Sequence, residues 1–176
     1  MSTNRVNYLA VNDDNNSPNR SDTDKQYILV VLLLTFVLPI LGLFLEHLTS
    51  NVSLTFALFC KWFIFSAVGL RLFSAGVRQV ITPEFTARQI FHIYNRDSLP
   101  IVRELGFANL CFGLVGLISL FKPEWRMVSA FASGFFYGIA GVQHLIKSPV
   151  GTNEKFALWT DLVIFIILAL YFIETI

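Results

Sequence analysis

The stretch Arg103-Glu-Leu-Gly-Phe-Ala-Asn-Leu-Cys-Phe-Gly-Leu-Val-Gly116 decides the fold class. Two opposite charges lead straight into an apolar run ribbed with glycine. Gly106, Asn109, Gly113 and Gly116 recur at spacings that place them on one face of a helix. In water that face would be a weak seam. In a bilayer it lets a second helix approach closely, and Asn109 can hydrogen-bond across the contact. The stretch reads as a membrane helix at the centre of a small bundle.

Composition carries that reading to the whole chain. Of 176 residues, 55% are hydrophobic and only 14% charged, against about a quarter charged in soluble domains. The length suits one domain. A net charge of +1 gives no electrostatic ground for nucleic-acid binding. Two cysteines, Cys60 and Cys111, form no Cys-x-x-Cys pair, which leaves disulfide frameworks and zinc ribbons without support. His47, His92 and His144 stand in separate places with no helical i, i+4 pair, so no metal site is expected. No phosphate loop or nucleophile motif appears, and nothing points to an enzyme.

Five apolar runs are long enough to span a bilayer: about 27–45, 54–77, 105–121, 127–146 and 156–173. Residues 1–26 are rich in Asn, Asp and Ser and are expected to form a disordered polar tail, with 27–176 as the membrane domain. Pro39 falls inside the first run, where a kink is tolerable if a neighbour satisfies the freed carbonyl. The second run holds Lys61 and Arg71 and ends at Arg78. Between the second and third, Thr82-Pro83-Glu84 predicts a helix start. The amphipathic helix after it carries Ala87, Ile90, Phe91 and Tyr94 on one face and Arg88, His92 and Arg96 on the other, as for an interfacial helix. The fourth run has its own small-residue seam, Gly134, Gly138 and Gly141. The expected fold is an all-α integral membrane bundle of about five transmembrane helices: a four-helix core, an added N-terminal span and one interfacial helix.

Charge orients this bundle. With five spans, Arg5, Arg20, Lys25, Arg78, Arg88, Arg96, Arg103, Lys147 and Lys155 fall on one side, and Lys122 and Arg126 on the other. The positive-inside rule then puts the N-terminus in the cytoplasm and the C-terminus outside, consistent with a bacterial inner membrane. In this frame Arg71, Arg78, Glu104, Asn109, His144 and Asp161 share the cytoplasmic half of the bundle. Ionisable groups are costly in hydrocarbon and should face one another or a wet cavity. The expected pairings join Arg71 or Arg78 with Glu104 or Asp161, with His144 and Asn109 nearby. A structural reading competes throughout: Arg78 can anchor a helix end to lipid phosphate, and Glu104 and Asp161 stand near helix N-termini that favour a carboxylate.

The block Glu104-Leu-Gly-Phe-Ala-Asn109 with Gly113 and Gly116 resembles an uncharacterised family of small, mostly bacterial multi-spanning proteins. Trp62, Gly69, Gly76, the segment Pro83 to Ile90 and Gly141-Val-Gln-His144 carry the same resemblance. The segment Gly69-Leu-Arg-Leu-Phe-Ser-Ala-Gly76 is similar to the first core helix of DoxX-like proteins. The resemblance implies a helical bundle without an assigned activity, and the DoxX-like part implies a quinone as a possible cofactor. The leading expectation is an accessory or packing component of a membrane complex, bound to lipid and to a membrane-protein partner or to copies of itself. The alternatives are a small transporter or channel using the Arg/Glu/Asp/His cluster, and a quinone-linked redox component.

Overall fold

A computed structural model describes residues 18–147 and 151–176, and every element among them is helical. The first rod joins α1 (Pro18–Leu32), a π-helical turn (Leu33–Val37) and α2 (Leu38–Ser50). The second joins α3 (Phe56–Phe63), a π segment (Ile64–Leu70) and α4 (Arg71–Ile81). After α5 (Pro83–Phe85) and its π extension (Thr86–Ile90) come a 3-10 turn (Arg96–Ser98), α6 (Leu99–Ile118), α7 (Trp125–Lys147) and α8 (Thr152–Thr175).

Among the described residues four helices are long and apolar enough to cross a membrane: Lys25–Ser50, Phe56–Ile81, Arg96–Ile118 and Thr152–Thr175. The helix α7 has 23 residues, but its glycines, serines, Gln143 and His144 dilute its apolar character, and it is not among the four. The helices also overrun the expected spans. Helix begins at Pro18, inside the segment expected to be a disordered tail, because proline is preorganised for a first helical position; residues 1–17 lie outside the described residues. At the other end of the rod, Glu46 belongs to α2 rather than to a loop, and the chain turns only at Asn51, whose left-handed φ of 54° ends the helix.

Pro39 shows how the first rod is held. Its ring nitrogen has no hydrogen to give, and the π turn just before it shifts the bonding pattern by one residue, so that Leu38 N–H reaches Leu33 O. The carbonyl left over is that of Leu34. Ser66, on the second rod, donates its hydroxyl to that carbonyl at 2.5 Å. A neighbouring helix thus satisfies the group that proline frees.

Both glycine seams are used inside the chain. The face of Gly106, Gly113 and Gly116 lies against Gly69, Phe73 and Gly76 of the second rod. A methyl at Gly116 would meet the Gly69 backbone, and one at Gly113 the Phe73 backbone. The second seam packs α7 on α8: Gly134 faces Leu168, Gly138 faces Phe165 and Gly141 faces Leu162. The fold is therefore two close-packed helix pairs, the second rod with α6 and α7 with α8, with the first rod laid against the second rod and α8. Phe63, Ile64, Val68, Ile164 and Leu168 fill the space between the pairs. Both seams are filled by other helices of the same chain.

The interfacial helix is shorter than its pattern predicts. Thr82 makes no side-chain cap; its hydroxyl bonds back to Arg78 O, closing α4. Helix ends at Phe91, and His92 takes a left-handed φ of 54°. That turn sends Tyr94 outward, where it is exposed, and swings His92 off the polar face and into the bundle.

Candidate functional site

The helices α4 and α8 run antiparallel and bring Arg71 and Asp161 to the same depth. Arg71 lies ten residues before the end of α4 and Asp161 nine after the start of α8, about 15 Å and about 13 Å from those ends at 1.5 Å per residue. Arg71 Nη2 donates to Asp161 Oδ1 at 2.8 Å and to Thr160 Oγ1 at 3.0 Å. Arg71 Nη1 is buried and makes no hydrogen bond of ordinary length among the described residues. The guanidinium carbon stands 5.2 Å from the Tyr137 ring, a favourable position for a cation. The Tyr137 hydroxyl donates to Ala67 O at 2.9 Å, inside the π segment that leads into Arg71. Such π segments often mark functional positions in helices.

From α1, the Tyr27 hydroxyl comes beside the Arg71 guanidinium as a hydrogen-bonding neighbour and lies within electrostatic reach of Asp161. Its ring packs on Phe85 and Phe156, with centroids 5.9 and 6.4 Å away. Arg78, one heptad past Arg71, takes no acid among the described residues; its guanidinium sits 3.4 Å over the Phe85 ring.

A second cluster lies between this pair and the nearer end of the bundle. Glu154, in the first turn of α8, is buried to 1% of its side-chain surface and faces three groups able to carry positive charge. His144 Nδ1 is at 3.5 Å, His92 Nε2 at 3.6 Å and Lys147 Nζ at 3.6 Å. Lys147 also donates to Phe91 O at 2.8 Å, and the Phe91 ring stacks on His144. Side-chain exposures of 27% at His92 and 48% at Lys147 open the cluster to the outside at this end. His144 connects the two clusters, since it also acts electrostatically on Asp161. Two other polar contacts stand apart. Asn109 Nδ2 donates to Gln79 Oε1 at 2.7 Å across the first glycine seam. At the far end, Lys61 and Trp62 both donate to Glu46, at 2.6 and 2.8 Å.

The sequence pattern of a family of unknown function, DUF6790, matches residues 25–175. The chain belongs to this family. No curated protein and no solved structure matches it.

In this DUF6790 member, two of the six residues expected in the pocket pair, Arg71 and Asp161, and His144 lies within electrostatic reach of Asp161. Arg78 flanks them on an aromatic ring, and Asn109 is buried on a different seam. Glu104 is exposed and forms no ion pair among the described residues. The helix explains its absence: two residues before Gly106 is about 200° around α6, so packing Gly106 on α4 turns Glu104 outward. Glu154, His92, Lys147, Tyr137 and Thr160 complete the site and were not foreseen. The signal for Glu154 was present in its seven-residue spacing from Asp161, which puts two carboxylates on one helical face. Residues 147–155 read as a loop, which hid that face; α8 starts at Thr152. Among the described residues no group of His, Cys, Asp and Glu is arranged to hold a metal ion. Cys60 is buried and free, and Cys111 is free and exposed.

Proposed function

We propose that this chain is a five-span protein of a bacterial plasma membrane that carries a small polar solute through the Arg71–Asp161 site. The N-terminus is cytoplasmic, the C-terminus lies outside, and the site opens toward the cytoplasm. The observation that carries the reading is the buried ion pair inside a bundle with an apolar exterior. Phe44, Leu48, Phe107, Phe135, Ile139, Ile166 and Leu170 are exposed, while Arg71, Asp161, His144 and Glu154 are buried. An apolar surface that extensive suits hydrocarbon rather than water, and buried charge in such a setting marks solute and proton paths. The exposed stripe Phe131, Phe135, Ile139 and Val142 of α7 follows helical spacing, which supports α7 as the fifth span. The accessory-component reading loses its main support, because both glycine seams are occupied internally. Five spans without an evident internal repeat are few for alternating access, so the working unit in this reading is a homo-oligomer.

Uptake into proteoliposomes tests the proposal. Purified protein is reconstituted and supplied with labelled formate, a short-chain amino acid or inorganic phosphate. Flux of at least one solute above protein-free vesicles, abolished by Arg71→Gln, is expected. Flux equal to empty vesicles for the whole panel would overturn it.

A further inference from the structure

The Arg71 site holds one charge that cannot change and one that can. Arginine stays protonated throughout the accessible pH range. Its cation is also steadied by the Tyr137 ring, whatever the state of Asp161. Asp161 is the variable member. With its carboxylate ionised, the pair is neutral. Once it is protonated, the pair carries +1 in a buried position, and an unpaired buried charge is strongly unfavourable. The groups facing Asp161 from the packed elements are Arg71 of α4, Tyr27 of α1, and Tyr137 and His144 of α7. None of them can supply the missing negative charge near neutral pH without losing a proton of its own. Glu154 already faces three potential cations of its own.

The guanidinium has unused capacity. Nη2 serves Asp161 and Thr160, the Tyr27 hydroxyl lies beside the guanidinium, and buried Nη1 makes no hydrogen bond of ordinary length among the described residues. What Nη1 lacks is a charged acceptor, and the planar fork of Nη1 and Nη2 matches the two oxygens of a carboxylate. We infer that Arg71 binds a monocarboxylate together with one proton, the proton settling on Asp161 and the anion taking the place of the aspartate at the guanidinium.

The balance is simple. One proton comes from the aqueous side and forms an O–H bond on Asp161. The ionic contact from Arg71 Nη2 to Asp161 Oδ1 breaks, and contacts from the fork to the incoming carboxylate replace it. No bond in the ligand changes, and the site gains no net charge. The cluster around Glu154 supplies the route. His92 is the partly exposed imidazole, Glu154 faces both His92 and His144, and His144 lies within electrostatic reach of Asp161. An imidazole can take a proton at one nitrogen and release it from the other. Coupling of this kind is reciprocal: the anion draws the proton on, and low pH tightens the anion.

This inference rests on the transport reading for its purpose but is tested by binding alone. Full-length protein in neutral detergent and weak buffer is titrated with formate, or with decanoate as a carboxylate drawn from the lipid phase. A pH-indicator dye follows proton uptake and calorimetry follows binding, between pH 5 and 8. Uptake of about one proton per anion bound is expected for one of the two ligands, with affinity falling about tenfold per pH unit in the upper part of that range. Asp161→Asn, a fixed neutral side chain, is expected to bind the same anion with no proton uptake and no pH dependence. Arg71→Gln is expected to bind neither. Wild-type binding without proton uptake, or no binding of either ligand at any pH, would overturn the inference, and the wild-type measurement decides even if the variants do not fold. Solute flux in proteoliposomes without proton-coupled binding sinks this inference and leaves transport standing. Proton-coupled binding without flux does the reverse.

Discussion

Breaking a buried ion pair by removing one partner costs about 3–5 kcal/mol, because the survivor stays desolvated and unpaired. Arg71→Ala and Asp161→Ala are each expected to lower the midpoint of thermal unfolding in detergent. Replacing both, as Arg71→Met with Asp161→Leu, removes the two charges together and is expected to recover most of the loss. A double variant as unstable as the worse single variant would show that the pair is not the source of the cost. Arg71 was legible in the sequence because an arginine well inside an apolar run demands a partner. Which acid it takes was not legible. Glu104 and Asp161 are both acids near a helix start, and only the register of α6 and α8 against α4 separates them. His92 was the least legible: its spacing puts it on a polar face, and the left-handed turn at that one residue sends it to Glu154 instead.

Among the elements, the first rod depends on a contact made by another helix. Ser66→Ala leaves the Leu34 carbonyl without its donor. A loss of about 1 kcal/mol is expected, in the range of interhelical hydrogen bonds within membranes. Pro39→Ala restores a backbone N–H that can serve the same carbonyl, so Ser66→Ala should cost measurably less in the Pro39→Ala background. Equal costs in both backgrounds, measured as unfolding midpoints, would disconnect the serine from the proline. The glycine seams allow a sharper contrast. A methyl at Gly113 runs into the Phe73 backbone, whereas at Gly134 the nearest atom is Leu168 Cβ at 3.4 Å, an ordinary contact. Gly113→Ala is expected to destabilise the bundle, and Gly134→Ala to be tolerated or to gain from alanine's better helix propensity. The faces themselves could be read from spacing. That they close on the second rod and on α8 could not, since spacing names a seam and says nothing of what fills it.

For the molecule as a whole, the open quantity is the number of crossings, and α7 decides it. Four helices qualify by length and composition. If α7 does not cross, the chain after it stays on the side where α6 ends, and the C-terminus falls on the same side as the N-terminus. If α7 crosses, residue 150 returns to the side of the N-terminus and the C-terminus lies opposite. The packing of α7 along the whole of the second seam favours crossing: Gly134, Gly138 and Gly141 meet Leu168, Phe165 and Leu162 of α8 in antiparallel order. A helix paired that way with a spanning neighbour reaches the same depths. The basic residues Arg88, Arg96, Arg103, Lys147 and Lys155 then share one side, as the positive-inside rule prefers. Alkaline phosphatase is active only when exported, so fusions report these sides directly. Fusions after residues 50 and 176 are expected to be active, and those after 98 and 150 inactive. Activity at 150 with none at 176 would remove α7 from the membrane and leave four spans. In that arrangement the start of α8 would lie across the membrane from His92 and Phe91, and the cluster of His92 and Lys147 on Glu154 could not form.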